Sequence, residues 1–169
     1  MNIPVFVSCP TALNPKQEAA RQLIIGELKK LGLEARALGR GDYPTEFPLR
    51  EVAVIAKHCS GAVILGFEQF QATAGTWKRG HKDEKAAVDP VAFPTPWNHL
   101  EAGILFGLRL PLLVFRETGI RGGVFDDGVT EAFVHVMPDV PLPLARRKAL
   151  NAVFLKWQSR VRELYYRDT

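Results

Sequence analysis

Cysteine is scarce, with Cys9 and Cys59 alone among 169 residues. Cys9 ends an apolar run and Cys59 falls near the end of a helical stretch. That sparse pair predicts two reduced thiols in the cytoplasm rather than a disulfide framework. No apolar run approaches the roughly 20 residues needed to span a bilayer. The opening Met1-Asn2-Ile3-Pro4 lacks the basic region and small-residue cleavage site of a secretory signal. Charge of one sign is also in short supply, the net formal charge being +4. This argues against nucleic acid as a partner, since a DNA or RNA binder shows a denser basic stripe. The four histidines, His58, His81, His99 and His135, lie on separate predicted elements without metal-ligand spacing. A phosphate-cradling G-x-x-x-x-G-K-[ST] loop, a dinucleotide G-x-G-x-x-G after the first strand and a Gly-x-Ser-x-Gly elbow are all missing.

What is there fits one domain spanning 1–169, with 47% hydrophobic and 24% charged residues. A chain of this size buries roughly two thirds of its unfolded surface around one core. Val5-Phe6-Val7-Ser8 is a short apolar strand stopped by Cys9-Pro10. Asn14 caps a helix with Pro15 in its first turn, running to about Leu31 and stopped by Gly32. A second strand covers Leu33 to Leu38, a glycine-rich loop follows from Gly39 to Pro48, and Leu49 to His58 is helical. Ala62 to Phe67 is apolar on both faces, as a central parallel strand should be. From Glu68 to Pro94 no periodicity survives, which predicts a long functional insertion or mobile segment; its basic run Lys78 to Lys82 reads as a solvated loop.

Beyond that insertion, Leu110 to Phe115 and Ala132 to Val136 are the last two strands. The four glycines between Gly119 and Gly128 are assigned to turn geometry. A closing helix from Leu144 to about Tyr166 offers Ala149, Val153, Leu155, Trp157, Val161 and Leu164 as its apolar side. The alternation predicts a flavodoxin-like α/β fold: a five-stranded parallel sheet in the order 2-1-3-4-5, with helices on both faces. Ligands in such folds bind beyond the carboxyl ends of the strands, an edge that gathers Ser8, Cys9, Arg40, Asp42 and Phe67.

The helix predicted at that edge starts at Thr95-Pro96, with Thr95 as cap and Pro96 where a missing N–H costs nothing. Trp97 and Glu101 stand one turn apart on it, and Leu100, Ile104 and Leu108 are assigned to the same inward stripe. A carboxylate on such a stripe must meet a cation, accept hydrogen bonds or take up a proton. One carboxylate suffices for breaking the N-glycosidic bond of a pyridinium nucleotide. Positive charge grows on the ribose in the transition state, and nicotinamide leaves as a neutral base. Ordinary glycosides also need an acid for the leaving group, hence two carboxyl groups.

Trp97-x-x-x-Glu101 resembles the motif of TIR (Toll/interleukin-1 receptor) domains that cleave NAD. Val5-Phe6-Val7-Ser8 is similar to that family's opening strand, and Gly39 to Pro48 falls where the family has its BB loop. The resemblance runs over nearly the whole chain. It implies an NAD glycohydrolase or ADP-ribosyl cyclase with NAD as substrate and no further cofactor. Glu101 is the catalytic glutamate it implies, Trp97 frames the pocket, and Ser8, Cys9, Arg40, Asp42 and Phe67 line it. It also implies self-association and a role in antiphage defence, through NAD depletion or a cyclic ADP-ribose signal sensed by an effector protein. Two alternatives remain. Glu101-Ala102-Gly103 is similar to the Glu-x-Gly-x-Ala stretch of nucleoside 2-deoxyribosyltransferases, although Phe93 to Trp97 replaces their Asp-Ser-Gly-Thr lead-in. The other is a non-catalytic TIR scaffold that signals by assembly through the Gly39 to Pro48 loop.

Overall fold

A computed structural model describes residues 2–37 and 47–167. The central sheet holds β1 (Ile3–Ser8), β2 (Leu33–Arg36), β3 (Ala62–Gly66), β8 (Leu112–Arg116) and β9 (Val134–Val136), all parallel, in the spatial order β2-β1-β3-β8-β9. Counted among the strands of this sheet alone, that is the expected order 2-1-3-4-5. Ile3 faces Leu33 across β1 and β2, Phe6 faces Ala62 across β1 and β3, and Ala62 faces Leu112 across β3 and β8.

Because successive side chains leave a strand on opposite faces, each central strand feeds two cores. Val5, Val7, Val63, Leu65, Leu113 and Phe115 belong to one, covered by α1 (Pro15–Lys30) and α4 (Leu144–Arg167). Phe6, Ala62, Ile64, Leu112 and Val114 belong to the other, beneath α2 (Pro48–Lys57) and α3 (Pro96–Gly107). Burial on both faces explains why these strands read as unbroken apolar runs.

The start of α1 is a reciprocal capping box. Gln17 N–H donates to Asn14 Oδ1 at 2.9 Å, and Asn14 N–H donates to Gln17 Oε1 at 3.1 Å. Gly32, at φ +70°, ends the helix and turns the chain into β2. In α4 the buried positions are Phe154, Trp157, Gln158 and Val161, while Leu155 is exposed. Residues two apart point to opposite sides of a helix, so Leu155 and Trp157 cannot share the inward face assigned to them.

The insertion departs from expectation. Rather than lacking structure, it folds into two small antiparallel pairs, β4 (Phe70–Ala72) with β7 (Val91–Phe93) and β5 (Thr76–Trp77) with β6 (Lys85–Ala86). These strands are two or three residues long and mostly exposed, too short for an alternating pattern to register. Ala92 is buried and bridges to Ile120, which ties the insertion to the α2/α3 core. Among the described residues no helix is long and apolar enough to cross a membrane.

Candidate functional site

Thr95 and Pro96 open α3 as the sequence predicts, Thr95 Oγ1 accepting the Trp97 N–H at 3.3 Å. The face it buries is different from the expected one. Asn98, Glu101, Ala102 and Leu105 point inward, whereas Trp97 is 41% and Leu100 49% exposed and Leu108 lies outside too. The spacing i, i+3, i+4, i+7 is an ordinary helical stripe. It went unrecognised because two of its four members are polar. Glu101 is thus more buried than an edge position would be, at 8% exposure, and Trp97 stands on the exposed shoulder one turn earlier.

What holds the polar pair inside is the end of β1. The Asn98 amide donates from Nδ2 to Ser8 Oγ at 2.8 Å and to the Leu65 carbonyl at 3.4 Å, with both Asn98 and Ser8 fully buried. Ser8 Oγ accepts from Asn98, so its own proton is free to point at the Glu101 carboxyl, with which it is hydrogen-bonded. The first turns of α3 are thereby stapled across the carboxyl ends of β1 and β3, at the ligand edge of the sheet. Burial raises the Glu101 pKa from 4.5 to about 7, and the Ser8 hydroxyl works against that rise without cancelling it. A carboxyl so placed is half ionised near neutral pH. It can exchange a proton there, act as a nucleophile when ionised, or become the anion that a bound cation completes.

Not every predicted lining residue joins this group. Phe67 is fully buried in the α1/α4 core, so it has no surface to give a ligand. Cys9 is half-buried against the same core, across the sheet from the core that receives Ala102 and Leu105, and its thiol donates to the Pro10 carbonyl at 3.5 Å. Both follow strand ends, but the pleat sends them to the wrong face. Arg40 and Asp42, with most of the Gly39 to Pro48 loop, lie outside the described residues.

Sequence reasoning missed two residues. Asn98 could have been found from its position three residues before Glu101, on the same helix face. Glu117, the residue immediately after β8, is a second carboxylate at the carboxyl end of the sheet. Its Oε2 accepts the Glu68 N–H at 2.6 Å and the Gln17 amide at 3.0 Å, and its own N–H donates to the Gly66 carbonyl at 2.9 Å. These bonds tie β8, α1 and the chain after β3 together. No group of three or more His, Cys, Asp or Glu among the described residues could hold a metal ion.

This arrangement defines a class: a flavodoxin-like α/β protein with one protonatable carboxyl buried at the ligand edge of its sheet. A scan against protein-family models and a search of curated proteins find no match to the chain.

Proposed function

We propose that the protein cleaves the bond between nicotinamide and ribose in NAD, as an NAD glycohydrolase or ADP-ribosyl cyclase, with Glu101 as the catalytic carboxylate. The observation that carries this reading is the burial of Glu101 beside Ser8 at the carboxyl end of the parallel strands. An ionised carboxylate is costly there, and a ligand bearing positive charge lowers that cost. The pyridinium ring carries a full positive charge before reaction. As the C1′–N bond breaks, its electron pair passes to the nicotinamide nitrogen, and the charge moves onto the ribose ring. An anion held close to the ribose stabilises that transition state more than the ground state.

The second half of the reaction depends on what reaches C1′. Water gives ADP-ribose, and a nitrogen of the substrate's own adenine gives a cyclic product; either route releases one proton. Glu101 would accept that proton at a pH near its own pKa. Asn98 acts here as a positioning residue, because its amide fixes the Ser8 hydroxyl that faces the carboxyl. Action in the cytoplasm, in antiphage signalling with an effector that senses a cyclic product, is the biological setting that the TIR resemblance supports.

Incubation with NAD followed by mass analysis of the products tests the reading. Free nicotinamide with ADP-ribose or its cyclic form is expected, and Glu101→Gln should abolish it. Base exchange on a 2′-deoxynucleoside with NAD untouched would move the site to deoxyribosyl transfer. No turnover of either substrate, with loop substitutions changing only the oligomeric state, would leave a scaffold.

A further inference from the structure

A second site of different character lies within the insertion. A cavity of about 490 Å³ opens between the β5/β6 pair and the chain after β8. That volume falls in the range of small-molecule sites. Trp77 and Phe93 supply aromatic surface, Lys85 and Arg121 supply two cations, Asp89 supplies one carboxylate, and Gly122 lines the wall without a side chain.

The cavity is built rather than incidental. Trp77 packs against Phe93 with ring centres 6.3 Å apart, and Phe93 has Phe70 at the same distance. The indole and the Phe93 ring are tilted 46° to each other, and 47% of Trp77 stays exposed. The opposite wall is anchored by the bridge between Ala92 and the fully buried Ile120, whose carbonyl accepts from Arg116 Nη1 at 2.7 Å. Gly122, at φ +93°, donates its N–H to Asp126 Oδ1 at 2.8 Å, and this turn holds Arg121 at the rim. Neither Lys85 nor Arg121 has an ion-pair partner among the described residues, whereas Lys78, in the tip between the same strands, is paired with Asp83 at 3.6 Å. The lining therefore keeps a net positive charge beside an open aromatic face.

We propose that this cavity binds a nucleoside diphosphate, with the base stacked on Trp77, the phosphates between Lys85 and Arg121, and Asp89 facing the ribose hydroxyls. Stacking and charge-assisted phosphate contacts are complementary in one ligand of this class. The site is separate from Glu101. Gly123, next to the cavity wall, packs so closely on His99 that an added Cβ would stand 2.7 Å from its Nδ1. His99 and Glu101 are two residues apart on α3 and so project to opposite sides of it. The assignment stands whether or not Glu101 cleaves NAD.

Calorimetric titration of the full chain with ADP, adenosine and inorganic pyrophosphate tests it. ADP should bind more tightly than either fragment. Arg121→Gln, Lys85→Gln and Trp77→Ala should each weaken ADP tenfold or more, while Glu101→Ala and Lys82→Gln leave it unchanged. All of these side chains except Glu101 are exposed, so the variants should keep the wild-type circular dichroism. The proposal fails if ADP does not bind at millimolar concentration, or if Trp77→Ala and Arg121→Gln have no effect. It fails equally if pyrophosphate binds as tightly as ADP. Loss of ADP binding in Glu101→Ala would instead place the nucleotide at the carboxyl of α3.

Discussion

Glu117 and Glu101 both stand near the carboxyl ends of the parallel strands, yet the chain meets one with donors and the other chiefly with burial. Glu117 accepts a backbone N–H and a side-chain amide, both from segments it needs to hold in place. Glu101 has the Ser8 hydroxyl and otherwise sits on the inward face of α3, where its pKa climbs to about 7. A carboxylate whose donors are supplied by the fold is a structural tie. One that is buried with its charge poorly matched leaves that matching to something else, and a ligand cation is the natural candidate.

The sharpest way to break this comparison is to neutralise each carboxylate in turn. Glu101→Gln keeps shape and the Ser8 contact but removes the charge. NAD cleavage should fall on the order of a thousandfold in kcat, as when a group that stabilises transition-state charge is lost. Glu117→Gln should change kcat by less than about threefold. Equal losses in the two variants, followed by nicotinamide release, would erase the distinction.

The next largest effect is on stability. The folded pKa of Glu101 lies above its ordinary 4.5, so the folded state holds the proton more tightly than the unfolded one. Its contribution is complete below pH 4.5 and is lost as pH rises through about 7. The span from 4.5 to about 7 corresponds to about 3 kcal/mol. Urea midpoints at pH 5 and pH 8.5 should therefore diverge in the wild type by more than in Glu101→Gln. Parallel pH dependence in the two proteins would mean that Glu101 is not buried as described. In the proposed activity the sign reverses: the ionised form would be the catalyst, so kcat/KM for NAD should drop about tenfold per pH unit below 7.

A smaller effect is expected at the tie. Glu117→Ala leaves the Glu68 N–H and the Gln17 amide without their acceptor, which should cost about 2 kcal/mol. Thermal unfolding of that variant reads it directly, and an unchanged midpoint would show that water replaces the carboxylate.

Sequence pattern exposed the sheet because its central strands are buried on both faces, and the helix starts because Asn14-Pro15 and Thr95-Pro96 carry their caps in plain view. It also exposed Glu101 as the carboxylate to watch. The inward face of α3 stayed hidden, since hydrophobic periodicity points at Trp97, Leu100 and Leu108 when Asn98 and Glu101 occupy core positions. Phe67 and Cys9 were misplaced for a related reason: a strand end is visible in sequence, but the side to which the next residue turns is not. The insertion was illegible because its strands are two or three residues long and mostly exposed, too short for an alternating pattern to register. Glu117 follows a strand just as Ser8 ends one, and only its partners identify its role.

The smallest effect concerns whether the Glu101 site is complete within one chain. Of the polar groups predicted at its edge, Ser8 alone among the described residues bonds to Glu101, and Ser8 is fully buried, which makes it a prop for the carboxyl rather than a contact for a phosphate. Lys85 and Arg121, the cations of the insertion cavity, line a pocket to which Glu101 does not belong. If a neighbouring molecule supplies the groups that hold the pyrophosphate, the active site forms only on association, and specific activity rises with protein concentration. The expected change is a few-fold, because association at micromolar concentrations shifts only part of the population over an accessible range. A titration of specific activity over a hundredfold range of concentration, at fixed NAD, measures it. A flat line would mean that each chain carries a whole site, and the contrast between Glu101 and Glu117 would then rest on residues of one molecule alone.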